Sequence, residues 1–380
     1  MKRPIYRRIG NKKECFHTAI IRILVCALVL FQFGCSRTQH MPGADYLLIT
    51  DQELAAVNAK GSWELAGKRK RDSEDQNLSF STDMFFEDDE FFFGKTNMSK
   101  NQRVYLERIS KNPVEVLRKK IAYGDTQCMA YNGRELLTTV NRYSELLICK
   151  YDKDLNVMDE YSLEWIKQQD MEGYICWDIQ PKEDGWIFLI VTHPAGTDAQ
   201  YNENHLLFLD SEFQVQMDYD LGLYDGTYSS FALKDNDVYL SRYAQGETES
   251  YEPSYCSTID VFSLENGMIT ASYELPYTTN GRFVQNASEE VLILDRSRAQ
   301  TDRQVPIVIL WPETGEAVPV RIDFEDPHTS DSVPFISIDQ DKIYLTYRSA
   351  VYCFSLNDRT LERVGLDNLG LSDFVLFKRC

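Results

Sequence analysis

The sequence predicts an all-β fold: a β-propeller of four-stranded antiparallel blades, six in preference to seven. Three observations lead there. From residue 46 onward, short runs of Val, Ile, Tyr, Phe and Leu alternate with turn residues. Almost no long helical period interrupts them. A strand–turn–strand unit recurs, with the last apolar residue before its turn at Tyr151, Leu209, Leu264, Trp311 and Leu356.

Composition narrows the class. Of 380 residues, 43% are hydrophobic and 26% charged, enough apolar material to offset the entropy of ordering, so global disorder is excluded. Forty basic against 59 acidic residues give a net charge of −19, which repels phosphates and excludes nucleic acid as main partner.

The N-terminus reads as an address. Lys2, Arg3, Arg7, Arg8, Lys12 and Lys13 precede an apolar run from Ile23 to Phe31, and Gln32-Phe33-Gly34-Cys35 follows. A basic head, a short greasy centre and a small residue before the boundary make a secretory signal. The run is shorter than the ~20 residues a membrane-spanning helix needs. Gly34-Cys35 resembles the end of the lipobox of bacterial lipoproteins, although Gln32 stands where an aliphatic residue is usual. That resemblance implies cleavage before Cys35, a lipid on its thiol, and a membrane anchor there. The expected organisation is a signal over 1–34, a tether over 35–45 and the propeller over 46–380, with 60–79 a mobile polar excursion. Removing the signal leaves 33 basic and 58 acidic residues, a net of −25.

The repeat carries the body. Around the five residues named above lie the turns 152–156, 210–214, 265–267, 312–315 and 357–360, and a sixth hairpin turns at Ser110-Lys111-Asn112-Pro113. A fainter one follows Ile49. Each unit also has an earlier hairpin, as at Asn132-Gly133, a strong type I′ signal. Each unit therefore reads as four strands, a to d from inside to outside, and six units fit between about Phe80 and Asp367. Leftover strands at 46–50 and 374–378 suit one blade shared by the two termini, which removes free sheet edges. With the signal, the Cys35 box and repeats such as Lys150-Tyr151-Asp152-Lys153-Asp154, the chain resembles the TolB-like six-bladed propellers found as bacterial envelope lipoproteins. The resemblance covers roughly 45–380. It implies an extracytoplasmic, lipid-anchored chain, periplasmic or at the surface, and a binding scaffold more than an enzyme.

Loop lengths select a face. The a–b and c–d turns are short, whereas the long connections are b–c and d–a, notably 193–205 and 243–255. Elaborated loops on a rigid scaffold are where binding usually resides, and Tyr gives rigid contact area at low entropy cost. The candidate contacts are Tyr201, Tyr243, Tyr251 and Tyr255. His193 and His205 flank one loop and would approach each other across its neck. Arg242, Arg296 and Arg348 fall near the ends of b strands, where they either attract an anion or pair with nearby carboxylates.

No catalytic motif is present: GxSxG, HExxH and GxGxxG are all missing. Asp152-Lys153-Asp154 begins like a calcium loop, but Val157 and Leu163 occupy its Gly and Glu positions, so a hairpin turn explains it better. No CxxC pair occurs. The six cysteines beyond Cys35 leave pairing open, Cys128 with Cys149 being one option. No metal or cofactor is expected, and the chain is expected to be monomeric. The reading is a non-catalytic envelope lipoprotein that binds a protein or glycan through the b–c/d–a face. The alternative is a propeller enzyme, a polysaccharide lyase or glycoside hydrolase, with a central-funnel site using carboxylates such as Asp178 or His193.

Overall fold

The computed structural model describes residues 46–50, 53–57, 63–69, 80–96, 104–121, 126–142, 145–198, 201–222, 224, 226–243, 258–275, 282–284, 291–295, 305–322, 335–339, 341–347, 350–364 and 375–378. The chain divides into units Met1–Met41 and Pro42–Cys380. The expected signal, Cys35 and the tether lie outside the described residues. Among the described residues no helix is long and apolar enough to cross a membrane.

The first blade holds β1 (Tyr46–Ile49), β2 (Glu53–Val57) and β3 (Trp63–Lys68). The second holds β4 (Phe80–Glu87), β5 (Phe91–Thr96), β6 (Tyr105–Lys111) and β7 (Val114–Lys120). The third is β8 (Thr126–Tyr131), β9 (Leu136–Arg142), β10 (Glu145–Tyr151) and β11 (Val157–Ser162), followed by the short helix α1 (Glu164–Gln168). The fourth is β12 (Met171–Lys182), β13 (Gly185–Pro194), β14 (Glu203–Asp210) and β15 (Val215–Asp220). The fifth is β16 (Thr227–Lys234), β17 (Asp237–Tyr243), β18 (Thr258–Ser263) and β19 (Met268–Glu274). The sixth holds β20 (Leu292–Asp295), β21 (Ile307–Trp311) and β22 (Glu316–Val320), with a lone bridge from Phe283 to Leu294 in the innermost place. The seventh is β23 (Phe335–Asp339), β24 (Lys342–Tyr347), β25 (Ala350–Ser355) and β26 (Thr360–Val364). The last strand, β27 (Val375–Lys378), returns to the first blade and pairs antiparallel with β1, from Tyr46↔Lys378 to Ile49↔Val375.

Seven blades, not six, is therefore the count. The six expected units are blades two to seven, and the expected sharing of a blade by the two termini holds. The correction lies in the first blade. Its second to fourth strands come from 46–68 and its innermost from the C-terminus, in the order β27-β1-β2-β3. The hairpin after Ile49 joins its second and third strands, so no complete four-strand run is visible at either end of the sequence. Part of the expected polar excursion is also overturned: Trp63–Lys68 is β3, and Arg69 is buried at 3% exposure. Residues 70–79 lie outside the described residues.

The core sits between blades. Among the described residues, seven buried apolar clusters each join consecutive blades, and the set closes on itself. Strand alternation explains this. On β10, Leu146 and Ile148 face the fourth blade, while Leu147 and Cys149 face the second. A middle strand buried on both sides must be apolar throughout, whereas outer β11 is exposed over its first four residues. The same alternation separates Cys128 from Cys149: β9 lies between their strands, and they face different clusters. Both thiols are free.

Candidate binding site

The b–c and d–a connections meet at the ends of the fourth and fifth blades. The β12–β13 hairpin is long, and its register runs from Lys182↔Gly185 at the a–b turn to Met171↔Pro194 at the opposite end. Beyond Pro194 the chain turns back through Gly196, whose φ of +75° favours a residue without Cβ. Thr197 Oγ1 donates to the Pro194 carbonyl at 2.8 Å, and Ala195 N to the Asp170 carbonyl at 3.0 Å. Tyr201 N donates to the Asp198 carbonyl at 2.8 Å, and Asn202 N to the Tyr224 carbonyl at 3.0 Å. The loop is thus tied at both ends and to the next interblade link.

A cavity of about 330 Å3 opens there, lined by Tyr174, Ile175 and Trp177 of β12, Val191 to His193 of β13, Asn202 and Thr227. A second, of about 210 Å3, shares Gly173 and Tyr174 and extends to α1 and Glu172. The larger volume falls at the small end of the range for ligand sites, about 300–1,000 Å3. Its wall is mainly apolar, and Ile175 is 43% exposed. At the mouth Glu172 lies 3.9 Å from His193 Nε2, whereas the Glu203 carboxylate turns to the other face of the sheet, 3.7 Å from His205 Nε2.

Two expected contacts meet at this site. His193 Nδ1 lies 2.7 Å from the Tyr201 carbonyl oxygen. A carbonyl only accepts, so Nδ1 carries the proton, and Nε2 is the nitrogen on the side of Glu172. The Tyr201 ring stacks on Tyr224, with centroids 5.2 Å apart and planes within 3°. Tyr243 has a described backbone, opposite Thr227 across β16–β17, which puts it beside the cavity wall. Tyr251, Tyr255, Arg296 and Arg348 lie outside the described residues.

The other expectations resolve differently. His205 does not approach His193. It pairs in register with Ile190, three residues before His193, so the two rings occupy opposite faces of the sheet. His205 Nδ1 instead meets Asp218 Oδ1 at 2.9 Å, and Trp165 Nε1 donates to the other Asp218 oxygen at 3.0 Å. Arg242 forms an ion pair with the buried Asp260 at 2.5 Å, which also accepts from Tyr228 Oη and Ser272 Oγ, each at 2.6 Å. Its pairing is the structural one of the two options. Asp178 is likewise engaged in joining blades. Its carboxylate accepts from Ile179 N (2.8 Å), Ser230 Oγ (2.7 Å) and Phe231 N (3.2 Å). Ser230 Oγ in turn accepts from Phe283 N at 3.1 Å, linking the inner strands of the fourth, fifth and sixth blades. Asp152 caps its own hairpin, accepting from Asn156 N and Nδ2, each at 2.8 Å. Among the described residues no cluster of His, Cys, Asp and Glu could hold a metal ion.

Sequence reasoning missed Trp177, Asn202, Thr227 and Tyr224 as site residues. An apolar Ile175 on an innermost strand was the available signal, but in the sequence it is indistinguishable from core.

No protein-family model matches the chain, and no curated protein matches its sequence. Solved structures do. Apo AztD from Citrobacter koseri superposes with a TM-score of 0.52 at 10% identity, over 87% of this chain and 98% of that one. Dihydro-heme d1 dehydrogenase NirN in complex with DHE gives 0.49 at 12% identity, over 90% and 76%. BamB from Moraxella catarrhalis gives 0.41 at 11%, over 83% and 86%. The likeness to AztD supports the β-propeller fold. At such identity it says nothing about function.

Proposed function

We propose that this chain is a non-catalytic binding scaffold of a bacterial cell envelope. A lipid on Cys35 holds it to the membrane, outside the cytoplasm, and it engages a protein or glycan partner through the b–c/d–a face. The observation that carries the reading is the cavity between the fourth and fifth blades. It opens on the face with the long loops, and its rim is built by the His193–Tyr201 contact. Rigid sheets position it, and the loop above it is pinned by backbone hydrogen bonds rather than by packing alone.

The test uses the lipidated chain in its native envelope. Cross-linking followed by detergent extraction identifies the partner. A His193→Ala/Tyr201→Ala form and a Tyr243→Ala/Tyr251→Ala/Tyr255→Ala form, each with unchanged Tm, are expected to lose that partner. Equal recovery by all forms overturns the loop-face reading. Replacing Cys35 with Ser is expected to move the chain from the membrane to the soluble fraction, and a chain that stays with the membrane overturns the anchor.

A further inference from the structure

Two thiols meet at the junction of the third and fourth blades. Cys128 lies on β8 and Cys176 on β12, the innermost strands of those blades. Each carries a free thiol, and both are buried in one apolar cluster, at 3% and 1% exposure. Cys128 Sγ donates to the carbonyl of Cys176 itself at 2.9 Å, an oxygen only two covalent bonds from the Cys176 Cα. The thiols also interact directly: burial, then the hydrogen bond and charge of the Cys128 side chain, push the Cys176 thiol well above its ordinary pKa. A β-bulge adjoins each residue, between Thr126 and Cys128 in β8 and between Cys176 and Asp178 in β12. Bulges re-aim side chains.

The pairing is selective. Cys149 is on β10, two strands further out, and packs toward the second blade. Cys353 is on β25 of the seventh blade and packs toward the first. Among the described residues, Cys128 and Cys176 alone share a cluster. Cys176 also stands between Ile175 and Trp177, which line the cavity, while its own side chain packs in the cluster joining the third and fourth blades.

We propose that Cys128 and Cys176 join in a disulfide when the chain folds under oxidising conditions, and that this bond pins the cavity wall to the third blade. The chemistry is thiol–disulfide exchange with a soluble or protein disulfide. One cysteine thiolate, its proton lost to water, attacks that disulfide and expels one thiolate. The second cysteine, also deprotonated, attacks the mixed disulfide and expels the other, so two electrons pass from the cysteines to the oxidant. Exchange takes place while the blades dock, because the closed interface shuts out the oxidant and thiolate is the reactive form. The same burial then shields the bond from reductants. Its presence in the native chain rests on the extracytoplasmic reading above, since disulfides persist in oxidising compartments.

The test refolds the chain lacking its signal in oxidised and reduced glutathione, then alkylates it in denaturant. Peptide mapping before and after reduction is expected to show a Cys128–Cys176 cross-linked pair, with Cys149 alkylated. The oxidised chain is expected to melt roughly 5 °C above the reduced one, the order for a bridge closing a loop of about 50 residues in a chain of this size. Cys128→Ala and Cys176→Ala are each expected to leave the other thiol alkylated and to remove that Tm difference, and Cys149→Ala to keep both. Mapping of the natural chain needs no variant, so it decides even where a variant does not fold. Both cysteines alkylated, or either paired with another cysteine, overturns the proposal. The same mapping is then made on the lipidated chain from its native envelope. A cross-link there supports both readings. A cross-link in the refolded chain alone keeps the pair and overturns the extracytoplasmic reading. Absence from both overturns the disulfide, and the Cys35→Ser fractionation then judges location separately.

Discussion

Arg69 Nε donates to Glu107 Oε2 at 2.8 Å, with both side chains fully out of solvent. This contact ties the end of β3 in the first blade to β6 in the second. Arg69 Nη1 also donates to the Thr50 carbonyl at 2.7 Å, and Arg118 Nε to the other Glu107 oxygen at 2.5 Å. Glu107 thus carries two guanidinium partners in a dry interface, a geometry in which planar, forked donors matter.

Replacing Arg69 with Ala leaves the Glu107 carboxylate buried with one partner and the Thr50 carbonyl without that donor. Breaking a buried pair on one side costs roughly 3–5 kcal/mol. Denaturant titration is expected to show a loss of that order, and Arg69→Lys is expected to restore little of it. A loss below about 1 kcal/mol, the worth of an exposed pair, would show that the site is wet.

Cutting the chain after Phe374 removes β27 and bares the inner edge of β1. An open edge templates pairing with other chains. The truncated form is expected to melt at lower temperature and to associate as its concentration rises, read by thermal scanning and light scattering. A monomer of unchanged Tm would mean that β27 does not close the ring.

His205 gives a pH dependence. Burial lowers its pKa, but the hydrogen bond and charge of Asp218, then the charges of Glu203 and Asp220, outweigh this and raise it above 6.5. A cation favoured in the folded state stabilises fully below the unfolded pKa, and that contribution is lost as pH rises through the folded value. Tm measured from pH 5.5 to 8.5 is expected to fall with pH more steeply in the natural protein than in His205→Gln. Parallel curves would exclude His205 as the source.

Asp178 is a structural hub, and burial pushes its carboxyl pKa up despite three donors. Its raised folded pKa means that ionised Asp178 costs stability at neutral pH, and the cost fades as pH falls through that value. Even so, Asp178→Ala strands Ser230 and Phe231 N, at about 1–3 kcal/mol for groups left unsatisfied. Chemical denaturation is expected to show this loss at pH 7. A neutral or stabilising effect would mean that desolvation outweighs the three bonds.

Gly185 opens β13 opposite Asp210, where a Cβ would sit 2.0 Å from the Leu209 carbonyl oxygen. That oxygen is backbone, so the strands must part. Gly185→Ala is expected to cost about 1–3 kcal/mol or more, as overpacking does, seen as a lowered Tm. An unchanged Tm would show that the hairpin shifts freely.

Much of the architecture was legible. Polar turns after Tyr151, Leu209, Leu264, Trp311 and Leu356 each close the outer hairpin of a blade, because Asp, Asn and Gly at those places set turn geometry locally. The termini were also seen to share a blade. The blade count was misread because the first blade is divided between the two ends of the sequence, and its inner strand β27, four residues long, leaves little local signal. Arg69 shows the same limit. Within Lys68-Arg69-Lys70-Arg71 it reads as solvated charge, and only Glu107, 38 residues on, makes it core.

By itself, the sequence determined strand positions, turn chemistry and the face with the long loops, since these depend on neighbours within a few residues. The number of blades, the sorting of His193 and His205 to opposite faces, and the meeting of Thr227 with Trp177 in one cavity were decided by the tertiary structure. Ring closure is a global condition: each blade shields its apolar faces only against the next, so the count is settled when β27 finds β1.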